Sequence, residues 1–448
     1  MTTTATRVRI PGRPRFGGVF AGDTTSFLVV FGLGALGTAF GKLPWWREVL
    51  LGTGSAVDTV DPSVPAALVL VLSGLAARAQ LRRGYRWADP AELTWLAVDR
   101  VPVLGARVWR VWLGWLLAVG YATTLGAAVY RAPVETWIAA GLLLAGSSAL
   151  TLAVARRPVE TGVAAGPIAL AGAGVVVALT SPPPEVLSAS GVVLLLVAAV
   201  FAWGSGSPLR PVAARIAGRV ELVAAWRERV VRLVAVSFLD PLLMLPAARP
   251  VAVRVTSIWG LALAGVLGRR RYAVNAVLLA VAAGVARFAF PALPEVAVVA
   301  VAAYAALMPF GGGLGELWRG PGLRRWIDEP DRRIRAAFAL VFGGLVLAWA
   351  AVLALVVAVL GVPVGPAAWA VLPLAAAAVL RTASRPPISY DNIGVTDTPF
   401  GQTPVRLITQ AVRGPDLAVL GALLLSVSPF GPVVLGVILV LTTWSCLR

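Results

Sequence analysis

The chain has 448 residues, of which 58% are hydrophobic and only 13% are charged. Soluble domains are usually about 45–50% apolar and about 25% charged, so this composition excludes an ordinary soluble protein and predicts one that crosses a membrane several times. The net charge of +18 comes almost entirely from arginine. The arginines stand in short loops beside apolar runs, which is typical of membrane topology and not of a nucleic-acid-binding face.

The apolar residues form continuous runs of leucine, valine, alanine and glycine, which favours spanning helices over the alternating strands of a membrane barrel. A helical span needs about 20 apolar residues. We therefore expect an all-α membrane protein of about twelve transmembrane helices. The predicted spans are 26–42, 62–79, 108–129, 134–153, 162–180, 186–203, 272–290, 295–311, 336–361, 366–380, 417–428 and 432–447.

The spacing of these spans repeats after roughly 230–250 residues, which predicts a tandem 6+6 repeat. Residues 1–204 form the first six-helix half and residues 272–448 the second. Residues 205–271 form a basic amphipathic linker at the inner membrane surface. Two further short spans within 233–270 remain an alternative, against which Asp240-Pro241 and Arg254 argue.

Arginine density alternates from loop to loop along the chain. Because positive loops stay in the cytoplasm, this pattern predicts a bacterial cytoplasmic membrane protein with both termini inside. The abundance of arginine and alanine indicates a GC-rich bacterial genome.

Each half has a long, charged insert between two spans. In the first, "WADPAELTWLAVDRVPVLGARVWR" (87–110), Asp89 can cap a helix that begins at Pro90, and Glu92 can complete the cap. In the second, "LWRGPGLRRWIDEPDRRIRAAF", a helix is expected after Pro330. The sequence thus predicts two short, rigid, charged helices on the cytoplasmic side, which suit either docking to a protein or anchoring in the headgroup layer.

Three passages resemble the permease subunits of ABC-type exporters of the ABC-2-like group, and more closely an uncharacterised actinobacterial family of multi-spanning permeases. They are "AELTWLAVDRVPVLGARV", "GLRRWIDEPDRRIRAA" and "DTPFGQTPVRLITQAVRGPDLAVL". Their order covers most of the chain. The resemblance implies an exporter driven by a separate ABC ATPase chain, two copies of which would bind one permease.

The resemblance also implies that the inner-loop helix of each half couples to the ATPase. It assigns this coupling role to eight residues. They are Glu92, Trp95, Asp99 and Arg100 in the first insert and Trp326, Asp328, Asp331 and Arg332 in the second.

No ATP-hydrolysing motif is expected in the chain itself. The single lysine, Lys42, follows Gly41, but Leu36 stands where a P-loop needs its first glycine and Leu43 where it needs a hydroxyl. ATP and magnesium would therefore bind in the partner subunit, and the partners of this chain would be the ATPase and membrane lipids. Because the predicted spans contain few charged residues, an amphipathic or lipidic cargo is favoured over an ion.

Other functions stay open. An ion-coupled carrier could use Ser147, Ser148 and Thr151, although small polar residues in spans more often serve helix packing. A membrane glycosyltransferase could use Asp58 and Asp61 as acid or base, although carboxylates before a proline more often form a turn. A sensing or mechanical partner of an ATPase is a third alternative. The chain has no histidine and one cysteine, Cys446, which excludes histidine catalysis and an intrachain disulfide.

Overall fold

The computed structural model describes most of the chain, and everything below concerns those residues. They are 37–38, 40–52, 63–83, 87, 89–95, 113–114, 117, 120–121, 124–126, 128–155, 165–203, 219–237, 242, 248–252, 256–385, 395–398, 401–404, 412–427 and 431–447.

The described structure is almost entirely helical. In the first part of the chain the helices are α1 (Leu43–Leu51), α2 (Ser63–Arg83), α3 (Pro90–Trp95), α4 (Val134–Ala155), α5 (Ala165–Thr180), α6 (Pro184–Trp203) and α7 (Arg219–Ser237). They are followed by α8 (Ile258–Leu267), α9 (Ala273–Ala289), α10 (Glu295–Leu307), α11 (Gly312–Arg319), α12 (Pro321–Arg325), α13 (Asp331–Val359) and α14 (Pro366–Ala383). A short antiparallel hairpin of β1 (Val395–Thr398) and β2 (Gly401–Pro404) precedes α15 (Pro415–Val427) and α16 (Pro432–Leu447).

Six segments are long and apolar enough to cross a membrane, which makes this a multi-span membrane protein. They are Val134–Val154, Pro184–Ala202, Arg270–Ala289, Glu295–Arg319, Asp331–Val359 and Pro366–Ala383. Five shorter apolar helices accompany them within Ser63–Ala79, Ala165–Thr180, Ile258–Leu267, Pro415–Val427 and Pro432–Cys446. The twelve-span count thus stays a prediction. Of the expected span 108–129, the described residues are helical, and of 26–42 most lie outside the described residues.

The longest helix, α13, has one face buried in the protein core and another face exposed. Phe338 and Phe342 are buried on one face, and the indole of buried Trp349 donates to the Ala276 carbonyl of α9 at 2.9 Å. On the other face Leu340, Leu347 and Leu355 are all exposed, and a continuous apolar face of this kind is expected of a helix that meets lipid. The sequence prediction placed the start of this span at 336, but the helix begins at Asp331 because no helix breaker follows Pro330.

Contacts between helix ends fix which ends lie together. Arg78, near the end of α2, donates to the Asn275 side chain at 3.3 Å and to the Arg271 carbonyl at 3.1 Å. Arg381, near the end of α14, pairs with Asp416 at the start of α15 at 3.1 Å. We call the side of the bundle that carries these arginines the arginine-rich end.

At the opposite end the contacts are less charged. The hydroxyls of Ser63 and Ser181 lie 3.3 Å apart, joining the start of α2 to the end of α5. Glu295 accepts from the Gly365 amide through both carboxylate oxygens, at 3.2 and 3.1 Å, and so holds the start of α14 beside the start of α10. The earlier and later helices meet through α9, which packs on both α2 and α5.

Several helix contacts recur in the two parts of the chain, although among the described residues α14 also packs on α15 and α4 makes no comparable contact with α5. In the first, α2 packs on α4 and α5, and α4 packs on α6. In the second, α10 packs on α14 and α15, and α14 packs on α16. Helix α8, which falls in the expected linker, packs on α11 and α13 and buries Ala262 and Val266 in the same core. With ten residues it is about 15 Å long, about half of a bilayer core.

Candidate docking loop at the arginine-rich end

The segment from Gly320 to Asp331, called here the 320–331 loop, joins α11 to the spanning helix α13. Its organising residue is Arg324. The guanidinium donates to the Ile327 carbonyl at 2.7 Å and to the Glu329 carbonyl at 2.5 Å. Its Nε and Nη2 atoms also donate to the same carboxylate oxygen of Asp331, at 2.9 and 2.6 Å. One side chain thus closes the loop on itself, and the planar donor geometry of arginine makes the closure directional.

The closed loop presents a large aromatic side chain outward. Trp326 is 88% exposed, and Leu323 beside it is 53% exposed. The backbone beneath them is held by a hydrogen bond from the Trp326 amide to the Leu323 carbonyl at 3.2 Å. On the other side of the loop Ile327 packs against the main core. An exposed tryptophan on a fixed backbone is typical of an interaction surface, since little conformational entropy remains to be lost on binding.

The base of the loop is fastened to the bundle. The Arg335 guanidinium lies 5.0 Å from the centroid of the Trp318 ring. Helix α11 is in turn held by Arg269, which is only 3% exposed and donates to Glu316. A side chain at Gly313 would collide with the Gly265 backbone, so α11 lies directly against α8. The loop therefore moves with the core of the second half.

Three of the four predicted coupling residues of the second insert lie in this loop, and the fourth, Arg332, follows it in the first turn of α13. Trp326, Asp328 and Arg332 are exposed. Asp331 is held by Arg324, so its carboxylate serves the loop itself. The expected helix after Pro330 does begin at Asp331, but it is not short, because it continues into the 29-residue α13.

The first insert contains a short helix where the sequence predicts one. Asp89 accepts from the Ala91 amide at 2.9 Å, so it caps α3, which begins at Pro90. Glu92 and Trp95 belong to α3, whereas Asp99 and Arg100 lie outside the described residues.

Helix α7, where a basic amphipathic helix is predicted, reaches the first insert. The Arg229 guanidinium lies 4.6 Å from the centroid of the Trp87 ring. Leu222 and Ala235 on α7 are buried, whereas Val220 is 84% exposed. Nothing in the sequence spacing indicates this contact, because 142 residues separate the partners.

Sequence reasoning missed Arg324 as well. Its only signal is an arginine seven residues before an aspartate, with Pro330 forcing the chain to turn between them. Such a spacing is common in charged loops. The four hydrogen bonds by which Arg324 closes the loop, called here the Arg324 latch, can therefore be recognised only in the folded structure.

The alternative sites fare differently. The Ser147 hydroxyl bonds to Ser73 and to the Leu144 carbonyl, both at 3.1 Å. The hydroxyls of Ser148 and Thr151 donate to carbonyls of their own helix at 2.9 and 2.7 Å. These three hydroxyls act as packing groups, and Asp58 and Asp61 lie outside the described residues.

The sequence matches no family model, no curated protein and no solved structure.

Proposed function

We propose that this chain is the transmembrane permease subunit of an ATP-driven exporter. A separate ATPase chain, in two copies, docks at the arginine-rich end, which faces the cytoplasm. The cargo is amphipathic or lipidic. The observation that carries the proposal is the 320–331 loop, closed by Arg324 and presenting Trp326.

The loop has the properties that coupling requires. Motion of a docked ATPase reaches a membrane domain only through an element that does not deform first. Arg324 stiffens the loop from within, and Arg269 with Glu316 ties α11 to α8. Asp331 continues without interruption into α13, so a push on the loop would act on a helix about 43 Å long.

The recurring helix contacts support a permease built from two similar halves. The sequence repeat pairs α2 with α10, α4 with α14, α5 with α15 and α6 with α16. Under that pairing the contact between α2 and α4 corresponds to the contact between α10 and α14. The contact between α4 and α6 likewise corresponds to that between α14 and α16. Under the same pairing, α2 and α10 both begin at the end opposite the arginine-rich end, as expected of a parallel tandem repeat.

The cargo class rests on what the described spans contain. The hydroxyl groups of Ser147 and Thr151 are occupied by partners within the protein. Arg287 and Glu295, which approach to 3.9 Å, lie at the opposite end and not at mid-membrane. A polar path for a small ion would need such groups free near the centre of the spans.

The docking site can be tested by photocrosslinking in the native host. Trp326 is replaced by p-benzoylphenylalanine, and Trp45, another exposed tryptophan (51%), is the matched control. We expect position 326 to form an adduct with a chain that hydrolyses ATP and position 45 to form none. Adducts with lipid alone at both positions would make Trp326 a headgroup anchor and contradict the docking site.

The latch is tested separately. Arg324→Ala removes all four hydrogen bonds that close the loop, whereas Arg325→Ala removes only an exposed neighbour. Hydrogen exchange of residues 323–330 should become at least tenfold faster in Arg324→Ala and stay unchanged in Arg325→Ala. Equal exchange in both variants would show that the loop is held by other means.

A further inference from the structure

Helices α10 and α15 leave an apolar groove between them. It encloses about 330 Å³. Four of its eleven lining residues are alanine, and Pro294 lies at one end and Pro415 at the other. The side chains that line its length are Ala297, Ala300 and Tyr304 of α10 and Ala418, Ala422 and Ser426 of α15.

The groove offers almost no free polar group. The Tyr304 hydroxyl lies 3.0 Å from the Thr382 hydroxyl, and the Ser426 hydroxyl donates to the Ala422 carbonyl at 2.7 Å. A ligand in the groove would therefore meet an apolar surface. Since Val301 and Leu423 on its rims are 69% and 56% exposed, the groove opens toward lipid.

The dimensions match a hydrocarbon chain. From Pro294 to Tyr304 the groove follows ten residues of helix, about 15 Å, which is about half of a 30 Å bilayer core and so about one leaflet. A helix of a second copy, about 10 Å across, would occupy about 1,200 Å³ over the same 15 Å, several times the 330 Å³ of the groove.

One end of the groove carries positive charge. Beside Pro415 lie Arg413, which is exposed, and Asp416, which pairs with Arg381. Because Asp416 balances Arg381, the exposed Arg413 leaves this mouth with a positive charge, which complements an anionic headgroup.

We propose that the groove between α10 and α15 binds one acyl chain of an anionic phospholipid, with the headgroup at the mouth beside Arg413. This site does not depend on the permease proposal, since it needs no ATPase and no transport.

The test uses a phosphatidylglycerol analogue with a diazirine in its acyl chain, added to the purified chain in phosphatidylcholine nanodiscs. Adducts are located by mass spectrometry after illumination. We expect labelling of α10 and α15 at least fivefold above that of α6, whose Leu196 and Val200 are as open to lipid. Equal labelling of all lipid-facing helices, or a crosslinked dimer through this face, would overturn the proposal.

Two variants fill the groove. Ala297→Phe places a ring within it, and Val301→Trp covers it from a rim position that is 69% exposed, where the core is undisturbed. Ala305→Phe is the matched control, because Ala305 is exposed on the same helix and does not line the groove. Both filling variants should lower labelling at least fivefold and the control should not. Unchanged labelling in Val301→Trp would contradict the site.

The headgroup is tested with a phosphatidylcholine analogue carrying the same diazirine chain. We expect the wild-type groove to take the anionic probe at least threefold more than the zwitterionic one, and Arg413→Gln to remove that preference. Equal labelling by both probes in the wild type would overturn the assignment of an anionic lipid.

Discussion

The helix pairs α2/α5 and α10/α15, which correspond under the proposed repeat, pack differently. In the first pair the backbones touch, because a side chain at Gly74 would meet the Pro167 carbonyl and one at Gly174 would meet Val71 and the Ala67 carbonyl. In the second pair a groove of about 330 Å³ remains. Since no hydrophobic force drives helices together in lipid, the fit of small residues decides which pair closes.

The position of the glycines explains the difference. Helix α15 has a glycine, Gly421, but it faces Leu374 of α14, so the small residue of α15 serves its contact with α14 and not its contact with α10. The side of α15 that faces α10 carries Ala418 and Ala422 instead. A methyl group on each wall, with Tyr304 at one end, keeps the helices apart.

The largest loss of stability is expected between α2 and α5, called here the closed pair because their backbones touch. Gly174→Leu places a side chain where Val71 and the Ala67 carbonyl already lie, so the helices must separate. Overpacking of this kind should lower the free energy of unfolding by about 3 kcal/mol. The control is Gly172→Leu on the same helix, where nothing lies within 4 Å. Reversible unfolding in mixed micelles measures both, and equal losses would show that α2 and α5 do not touch as described.

A second prediction concerns the turn that positions α15. Gly414 has φ +114, and a side chain there would collide with the Thr382 hydroxyl. Gly414→Ala should therefore cost about 2 kcal/mol in stability, through backbone strain and displacement of α15 from α14. The gap between α10 and α15 should then widen, so labelling of the groove by the diazirine lipid should rise. A variant as stable as the wild type would contradict the left-handed turn.

A smaller effect is expected at the wall of the groove. Tyr304→Phe removes the hydrogen bond to Thr382, but Thr382 keeps its bond to the Ala378 carbonyl at 2.8 Å. We expect a loss of about 1 kcal/mol in the free energy of unfolding. Lipid labelling should not change, because the groove keeps its shape; a large drop would mean that the hydroxyl itself holds the ligand.

The smallest effect is expected beside the closed pair. Ser147→Ala removes the buried hydrogen bond between α4 and α2, and such bonds in membranes are worth about 0.6 kcal/mol. The change should be the same in sodium and in potassium buffer, measured by thermal unfolding. Stabilisation of the wild type by sodium alone, lost in Ser147→Ala, would favour the ion-coupled carrier.

Much of this architecture is readable from the sequence. Long apolar runs predict α4, α6, α9 and α14 within a few residues, because a span is fixed by length and composition. The cap at Asp89 is confirmed for the same kind of reason, since a capping residue acts within one helical turn. Asp240-Pro241 and Arg254, which argued against full crossings within 233–270, lie outside the described residues, and α8 in that segment has ten residues.

What the sequence does not reveal depends on long-range contacts. The latch of Arg324 requires a closed loop, and the contact of Arg229 with Trp87 joins distant segments. The groove depends on which face of α15 bears Gly421, and the face that meets α10 is set by the whole bundle. The hairpin of β1 and β2, which lies between two predicted spans, has no apolar alternation that would indicate strands.

The central claim is that this chain works with a separate ATPase. The most direct measurement is purification from the native host in mild detergent, with mass spectrometry of what accompanies it and ATP turnover after reconstitution. The account predicts a stoichiometric ATPase whose turnover changes when the permease is present and whose binding falls at least tenfold in Trp326→Ala. A chain that purifies alone even after crosslinking would contradict it.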